Sequence, residues 1–336
     1  MSQPLIDANG QIRFGHFGDS IEQINIGDYR HRTPMGGHAS ALSSWLGYKQ
    51  FQYVGVLSEQ LLFGCAIAHL RHTAIAFVYL YQPGSGMLLE TTKRAPFGVG
   101  VSLTNDIRNG SSQVRLGDLH ITIGHHQQRK RLTISQGRAL NVDLWFSEAE
   151  FEPLGQCSRI GRNGWAYARK VAGVRCHGQI QCGAQQFDLG ALNAFAHHDF
   201  SAGYMRRETF WNWACLSGQN QNGDRVGLNL SCGVNETSVS ENALWRNGQL
   251  LPLPLCHFDY DWDHPLQPWR IYSEDGVIEL QFQPQGQHTE RLNLGFAASD
   301  FKQIFGQFRG RIRQADGQLI SVDGLWGFVE DQYAKW

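Results

Sequence analysis

Apolar and polar positions alternate at short range along most of the chain, and each such run stops at a cluster of turn residues. In QFQYVGVLSEQLLFGCAIAHL (50–70) the break falls at Ser58–Glu59–Gln60. It separates two runs rich in aromatic and β-branched side chains, which predicts two strands. TAIAFVYLY (73–81) has the length of a buried strand, and Gln82–Pro83–Gly84–Ser85–Gly86 after it predicts a hairpin with a longer loop. LHITIGHHQQRKRLTISQGRALNVDLWFS (119–147) predicts three strands. Ile121 and Ile123 share a face of the first; Leu140, Val142 and Leu144 share a face of the last. The C-terminal half repeats the style, with turns at Asn247–Gly248, Asp275–Gly276 and Asp316–Gly317. Strands spaced by roughly 8–12 residues close into a barrel or sandwich, which also removes exposed sheet edges. Helix periodicity is confined to Ser299–Phe308, where Ser299 would cap a turn or two. The fold class is all-β, with few short helices.

A chain of 336 residues is long for one domain. The stretch 161–190 is glycine-rich and less periodic, so the junction is expected there, giving domains 1–175 and 176–336. Charged residues are 18% and the formal net charge is −1, which leaves no basic field for nucleic acid or an anionic membrane surface. The first residues lack the basic-then-apolar pattern of a signal peptide, and no run approaches the ~18 apolar residues of a membrane span. The seven cysteines form no C-x-x-C pair and are expected to be reduced, which suggests the cytoplasm. Motifs for a serine-hydrolase elbow, a phosphate-binding Walker loop, a zinc protease helix and a dinucleotide fold are all missing, so no cofactor is implied.

Candidate chemistry concentrates in HHDFSAGYMRRETFWNWACLSG (197–218). A strand from Thr209 to Leu216 puts Trp211, Trp213 and Cys215 on one face and Phe210, Asn212, Ala214 and Leu216 on the other. The two tryptophans then form either an aromatic wall for an apolar ligand or ordinary core. Asn212, if buried, needs partners. Ahead of them, Asp199–Gly203 looks like a turn, with His197 and His198 as loop residues or as a histidine–carboxylate pair with Asp199. Zinc binding by His197, His198 and His177 lacks ligand spacing. A second polar cluster holds Asn229, Ser231, Asn235, Glu236, Glu241 and Trp245. Glu241 is its candidate proton donor, because a carboxyl at the mouth of an apolar cavity has a raised pKa; a rim ion pair with Arg206 or Arg207 is the plainer alternative. In HFDYDWDHPLQPW (257–269) the alternating Asp259, Asp261 and Asp263 suggest a polar strand ending at Pro265, not a calcium loop.

GYMRRETFWNWACLSG, GLNLSCGVNETSVSENALWRNGQL, QPWRIYSEDGVIELQF, FKQIFGQFRGRIRQADGQ and the closing GLWGFVEDQYAKW resemble, in order, the blocks of a bacterial family, domain of unknown function 2804. Asp199, Gly203, Tyr204, Trp211, Asn212 and Trp213 match its pattern, and the two histidines do not. The family is in turn similar to two-domain lipocalin-like proteins, a group that includes carotenoid hydratases and tocopherol cyclase. The resemblance implies two lipocalin-like antiparallel β-domains with an apolar cavity for a hydrophobic small molecule or lipid of isoprenoid or fatty-acyl type. On that basis Asp199 or Glu241 is the expected proton donor for hydration, cyclisation or isomerisation, assisted by Tyr204 and His198. Trp211, Trp213, Trp245, Asn212 and Asn229 are the expected ligand contacts. A carrier without chemistry, or a structural or interaction module, would use the same scaffold.

Overall fold

Nearly every alternating run becomes a strand. The structure, a computed structural model, describes residues 3–234, 237, 239–295 and 297–336. A 14-stranded antiparallel sheet comes first. Its longer members are β1 (Tyr48–Leu57), β2 (Leu62–His69), β3 (Thr73–Gln82), β4 (Gly86–Pro96), β5 (Ser111–Leu116), β6 (Leu119–His126), β7 (Arg129–Gln136), β8 (Leu140–Ser147), β9 (Leu154–Ile160), β10 (Gly164–Cys182) and β11 (Phe195–Tyr204). They lie in the order β4-β3-β2-β1-β11-β10-β8-β7-β6-β5, with β9 also on β10. A 10-stranded sheet follows. It holds β12 (Glu208–Gln219), β13 (Arg225–Cys232), β14 (Ala243–Arg246), β15 (Gln249–Pro252), β16 (His257–Asp259), β17 (Trp269–Tyr272), β18 (Ile278–Asn293), β19 (Ala298–Arg313) and β20 (Trp326–Lys335). Their order is β15-β14-β13-β12-β20-β19-β18-β17-β16. Both sheets curl, and the fold is two lipocalin-like β-domains. The chain leaves the first sheet at Tyr204 and enters the second at Glu208, while residue 175 lies inside β10.

The predicted hairpins form where the turn chemistry placed them. Asn247 and Gly248 both take positive φ, at 55° and 94°, between the paired strands β14 and β15. Three expectations are corrected. Ser299–Phe308 is not helical; it belongs to β19, where the continuous buried run 303–306 covers both faces of the strand. Phe305 packs into the core between the sheets, and its neighbours Ile304 and Phe308 pack inside the second barrel. Consecutive apolar residues on a two-sided strand imitate helical periodicity. Asp199–Gly203 is not a turn, since it pairs with β10 on one side and β1 on the other. The acids of 257–269 do not share one strand: β16 ends at Asp259, and Asp261 accepts the Asp263 and His264 backbone N–H groups in a turn.

The glycine-rich stretch 161–190 turns out to hold the longest strand. Its glycine at 173 takes φ of 86° at a β-bulge, where the register shifts between Ala172 and Val174. Here β10 meets β13 of the other domain backbone to backbone. A Cβ on Gly227 would stand 2.2 Å from the Ala172 carbonyl carbon, so this crossing admits no side chain. The Gly173 N–H donates to Ser217 Oγ at 3.0 Å across the same seam. Trp213, Cys215, Trp245, Phe305 and Phe328 of the second sheet join one continuous core with Tyr53, Val56, Phe63 and Tyr79 of the first. All seven cysteines are free thiols. Among the described residues no helix is long and apolar enough to cross a membrane.

Candidate active site

Strand alternation decides which polar side chains reach the junction between the domains. On β12, Ala214 and Leu216 enter the second barrel's core, and Trp213 and Cys215 face the first domain. On β10, Lys170 shares that junction face with Ala166, and Arg169 faces the opposite way. On β11, Asp199 and Ser201 look into the junction. The result is a cleft of about 240 Å³ between the domains. Phe51, Ala68, Ile75, Phe77, Ala298 and Phe301 supply an apolar wall; Lys170, Asp199, Ser201, Glu241 and Glu330 supply a polar end, beside Trp211 and Trp213.

Lys170 is the centre of the polar end. Its ammonium donates to Asp199 Oδ2 and to Glu241 Oε1, both at 3.0 Å, and sits 4.8 Å from the centre of the Trp213 ring. Burial works against the ammonium, but the two carboxylates outweigh it and hold Lys170 above the ordinary lysine value. Burial raises the Asp199 carboxyl, an effect the Lys170 charge opposes, and Asp199 Oδ1 also accepts from Ser201 Oγ at 2.8 Å. Asn229 stands behind this group. It accepts the Trp213 indole N–H at 2.7 Å and donates to the Glu241 carbonyl at 2.8 Å, so one amide fixes both the ring and the strand entry.

Glu330 on β20 is the second ionisable feature. It is 4% exposed and accepts from the Trp211 indole N–H at 3.1 Å and from Gln303 Nε2 at 2.6 Å. Burial pushes its carboxyl up to about 7, against those two hydrogen bonds and the Lys170 charge. A carboxyl poised near neutrality inside a cavity can both give and take a proton at physiological pH.

Four of the expected site residues thus meet at the cleft: Asp199, Glu241, Trp211 and Trp213. Glu241 pairs with Lys170 there, not with Arg206 or Arg207. Asn229 acts from behind, as described. The other four lie elsewhere. Tyr204 sits in a separate aromatic core with Tyr48 and Trp165, its hydroxyl donating to the Ser44 carbonyl at 3.0 Å. Trp245 is fully buried and its indole donates to the Glu152 carbonyl at 2.8 Å. Asn212 is turned away from the cleft and donates to Tyr260 Oη at 3.2 Å and to the Glu330 carbonyl at 3.1 Å. His198 faces the interior of the first domain, 3.5 Å from Glu148 Oε1, with its ring 5.2 Å from that of His125.

Neither histidine is a solvated loop residue. His197 packs over Gly55 among Tyr53, Trp213 and Phe328, and burial lowers its imidazole to about 3, so it is neutral. Among the described residues no group of three or more histidine, cysteine or acidic side chains could hold a metal ion. Asn235 and Glu236 of the second cluster lie outside the described residues. Lys170 and Glu330 were missed from the sequence. The available signal was a charged pair inside each of two strand runs, Arg169–Lys170 in AYARKVAGV and Glu330–Asp331 in WGFVED.

Two curled antiparallel sheets with a polar-ended apolar cleft between them define a two-domain lipocalin-like protein. The chain belongs to the DUF2804 family (domain of unknown function), whose model matches residues 1–336. Solved structures agree on the fold. The chain is similar to CghA, with 11% identity, 98% of this chain and 97% of that chain covered, and a TM-score of 0.56. It is similar to CghA with Sch210972 at 9% identity, covering 86% and 88%, TM-score 0.53. Kievitone hydratase from Nectria haematococca aligns at 9% identity over 85% of this chain and 89% of that one, TM-score 0.52. No curated protein matches the sequence.

Proposed function

We propose that the inter-domain cleft takes up a hydrophobic small molecule with a polar head, of isoprenoid or fatty-acyl type, and acts on it by acid–base catalysis. The observation that carries the proposal is Glu330. It is a buried carboxyl raised to about 7, lining a cavity to which Phe51, Ala68, Ile75, Phe77 and Phe301 also contribute apolar surface. In hydration, neutral Glu330 gives its proton to an alkene carbon, water adds to the resulting cation, and a carboxylate takes the proton that the water sheds. Isomerisation or cyclisation uses the same donor and returns a proton to it, with no net change in atoms. Asp199 is the candidate for the second carboxylate, with Lys170 and Ser201 fixing its orientation. The Trp213 face is already engaged by Lys170, so carboxyl chemistry is better supported than stabilisation of a substrate cation by that ring. Kievitone hydratase, a structural neighbour, is by its name a hydratase, which favours the reaction class by analogy of fold only.

A carrier is the second reading, favoured by the extent of the apolar wall from Phe51 to Phe301. The two separate on one experiment. Wild-type protein and Glu330→Gln are incubated with a lipid extract, and bound and released molecules are followed by liquid chromatography with mass spectrometry, which separates isomers of equal mass by retention time. The catalytic reading expects wild type to convert a component by a mass change of 0 or of one water. It expects Glu330→Gln to bind that component and leave it unchanged. Equal conversion by the variant overturns it, and binding without conversion by either protein selects the carrier.

A further inference from the structure

A row of side chains crosses the second sheet and passes through Glu330. Cross-strand partners stand side by side on one face, with Cβ atoms about 5 Å apart. His288 on β18 is the partner of Gln303 on β19, Gln303 is the partner of Glu330 on β20, and Glu330 is the partner of Trp213 on β12. The row therefore runs His288, Gln303, Glu330, Trp213 in a line perpendicular to the strands. Its outer end is held from the other domain, because Nδ1 of His288 is hydrogen-bonded to the half-exposed Glu90 on β4. The ring lies among Phe77, Tyr79 and Phe301 and is 1% exposed.

Two atoms in this row have no protein partner: Nε2 of His288 and Oε1 of Gln303. Both are buried and they belong to directly opposed residues. Buried polar atoms are rarely left alone, and a facing pair of this kind is satisfied by a small rotation or one bridging water. Gln303 has one amide with two ends. Its N–H donates to Glu330 Oε1, which favours the ionised carboxylate. That orientation is secured when the carbonyl end, Oε1, has a donor on the His288 side. A lost donor leaves the amide free to turn and present its carbonyl to Glu330.

We propose that Glu90, His288 and Gln303 form a positioning relay that sets the protonation of Glu330 from the domain junction. With the Glu90 carboxylate accepting from Nδ1–H, Nε2 of His288 turns inward, and the imidazolium form, protonated on both nitrogens, donates from Nε2 to Gln303 Oε1 and locks the amide. His288 touches no reacting atom and acts only through Gln303. This deepens the acid–base proposal, since it regulates the same carboxyl. The other groups facing Glu330 are Lys170 from β10, Asp199 from β11, Tyr53 from β1, Tyr79 from β3 and Cys215 from β12; Glu241 lies beyond Lys170. Around His288 they are Glu90 and Tyr79, with Glu290 next along the strand and paired to Arg94.

The test needs no ligand. The Trp211 indole N–H, bonded to Glu330, is followed by nitrogen–proton NMR between pH 5 and 9, with the resonance assigned from Trp211→Phe. Wild type is expected to titrate near 7. Gln303→Leu removes the donor and moves the midpoint up by about one unit. His288→Phe, which suits the aromatic surroundings, moves it up by roughly half as much, and His288→Gln, which keeps an N–H donor, restores it. Thermal melts confirm that each variant is folded. A midpoint unchanged in His288→Phe but shifted in Gln303→Leu overturns the relay and leaves Glu330 as the acid. No titration of the Trp211 signal in wild type overturns the acid itself.

Discussion

Removing the Lys170 ammonium is the sharpest perturbation of the junction. In Lys170→Met the Asp199 and Glu241 carboxylates, 7% and 5% exposed, lose the cation that both of them contact. Truncating one partner of a buried, hydrogen-bonded charge group costs about 3–5 kcal/mol, because the remaining charge stays buried without compensation. Unfolding entropy of about 2.1 cal/mol/K per residue amounts to ~0.7 kcal/mol/K over 336 residues, if both domains unfold together. The expected fall in Tm at pH 7.5 is then about 4–7 °C. The loss depends on pH in a fixed direction. Without Lys170 the Asp199 carboxyl, already raised by burial, rises further above its unfolded value, so the folded state recovers stability as pH falls and Asp199 takes up a proton. The deficit should shrink between pH 7.5 and 5. Calorimetry on the wild type, Lys170→Met and the triple variant Lys170→Met/Asp199→Asn/Glu241→Gln reads it directly, with the triple variant recovering much of the loss. A deficit below about 1 kcal/mol, or one that is equal at pH 5 and 7.5, refutes the reasoning.

Glu330→Gln should raise stability at pH 8 and flatten its pH dependence. A carboxyl raised to about 7 favours the folded state fully below its unfolded value and loses that advantage as pH climbs through 7, a difference of about 3 kcal/mol. Urea denaturation at pH 5 and 8 measures it. His197→Phe should reduce the loss of stability on acidification. A neutral imidazole held at about 3 costs the folded state as pH falls below the unfolded histidine value, and the site is already aromatic. Gly227→Ala should cost several kcal/mol or leave the protein insoluble, since the new methyl meets the Ala172 backbone; solubility and a melt are sufficient readouts.

Much of the fold was legible because alternation and turn chemistry are local. Asn247–Gly248 names its own hairpin, and the division of β12 into a Trp213–Cys215 face and an Ala214–Leu216 face follows from period two alone. What failed was local pattern in places governed by distant packing. Phe305 and Ile304 look helical because each serves a different core, and Asp199–Gly203 looks like a turn because its polar members face a cleft made by another domain. The site was half legible for the same reason. Trp211, Trp213, Asp199 and Glu241 stand out by residue type, but Lys170 reaches its partners from 29 and 71 positions away, and no spacing rule connects them. Tyr204, part of the family pattern, and His198 were expected to assist Asp199, which lies close to both in sequence. The pleat sends them to the opposite face.

The central claim is that the cleft between the domains is the binding site for an apolar small molecule. Native mass spectrometry of the purified protein beside Ala68→Trp, which fills the apolar wall, tests it most directly. The account predicts an apolar organic adduct on the wild type, acquired from the host or from added lipid extract, and its loss in Ala68→Trp with the melting temperature kept. An adduct retained in full by the folded Ala68→Trp variant would contradict it, because the ligand would then be held elsewhere.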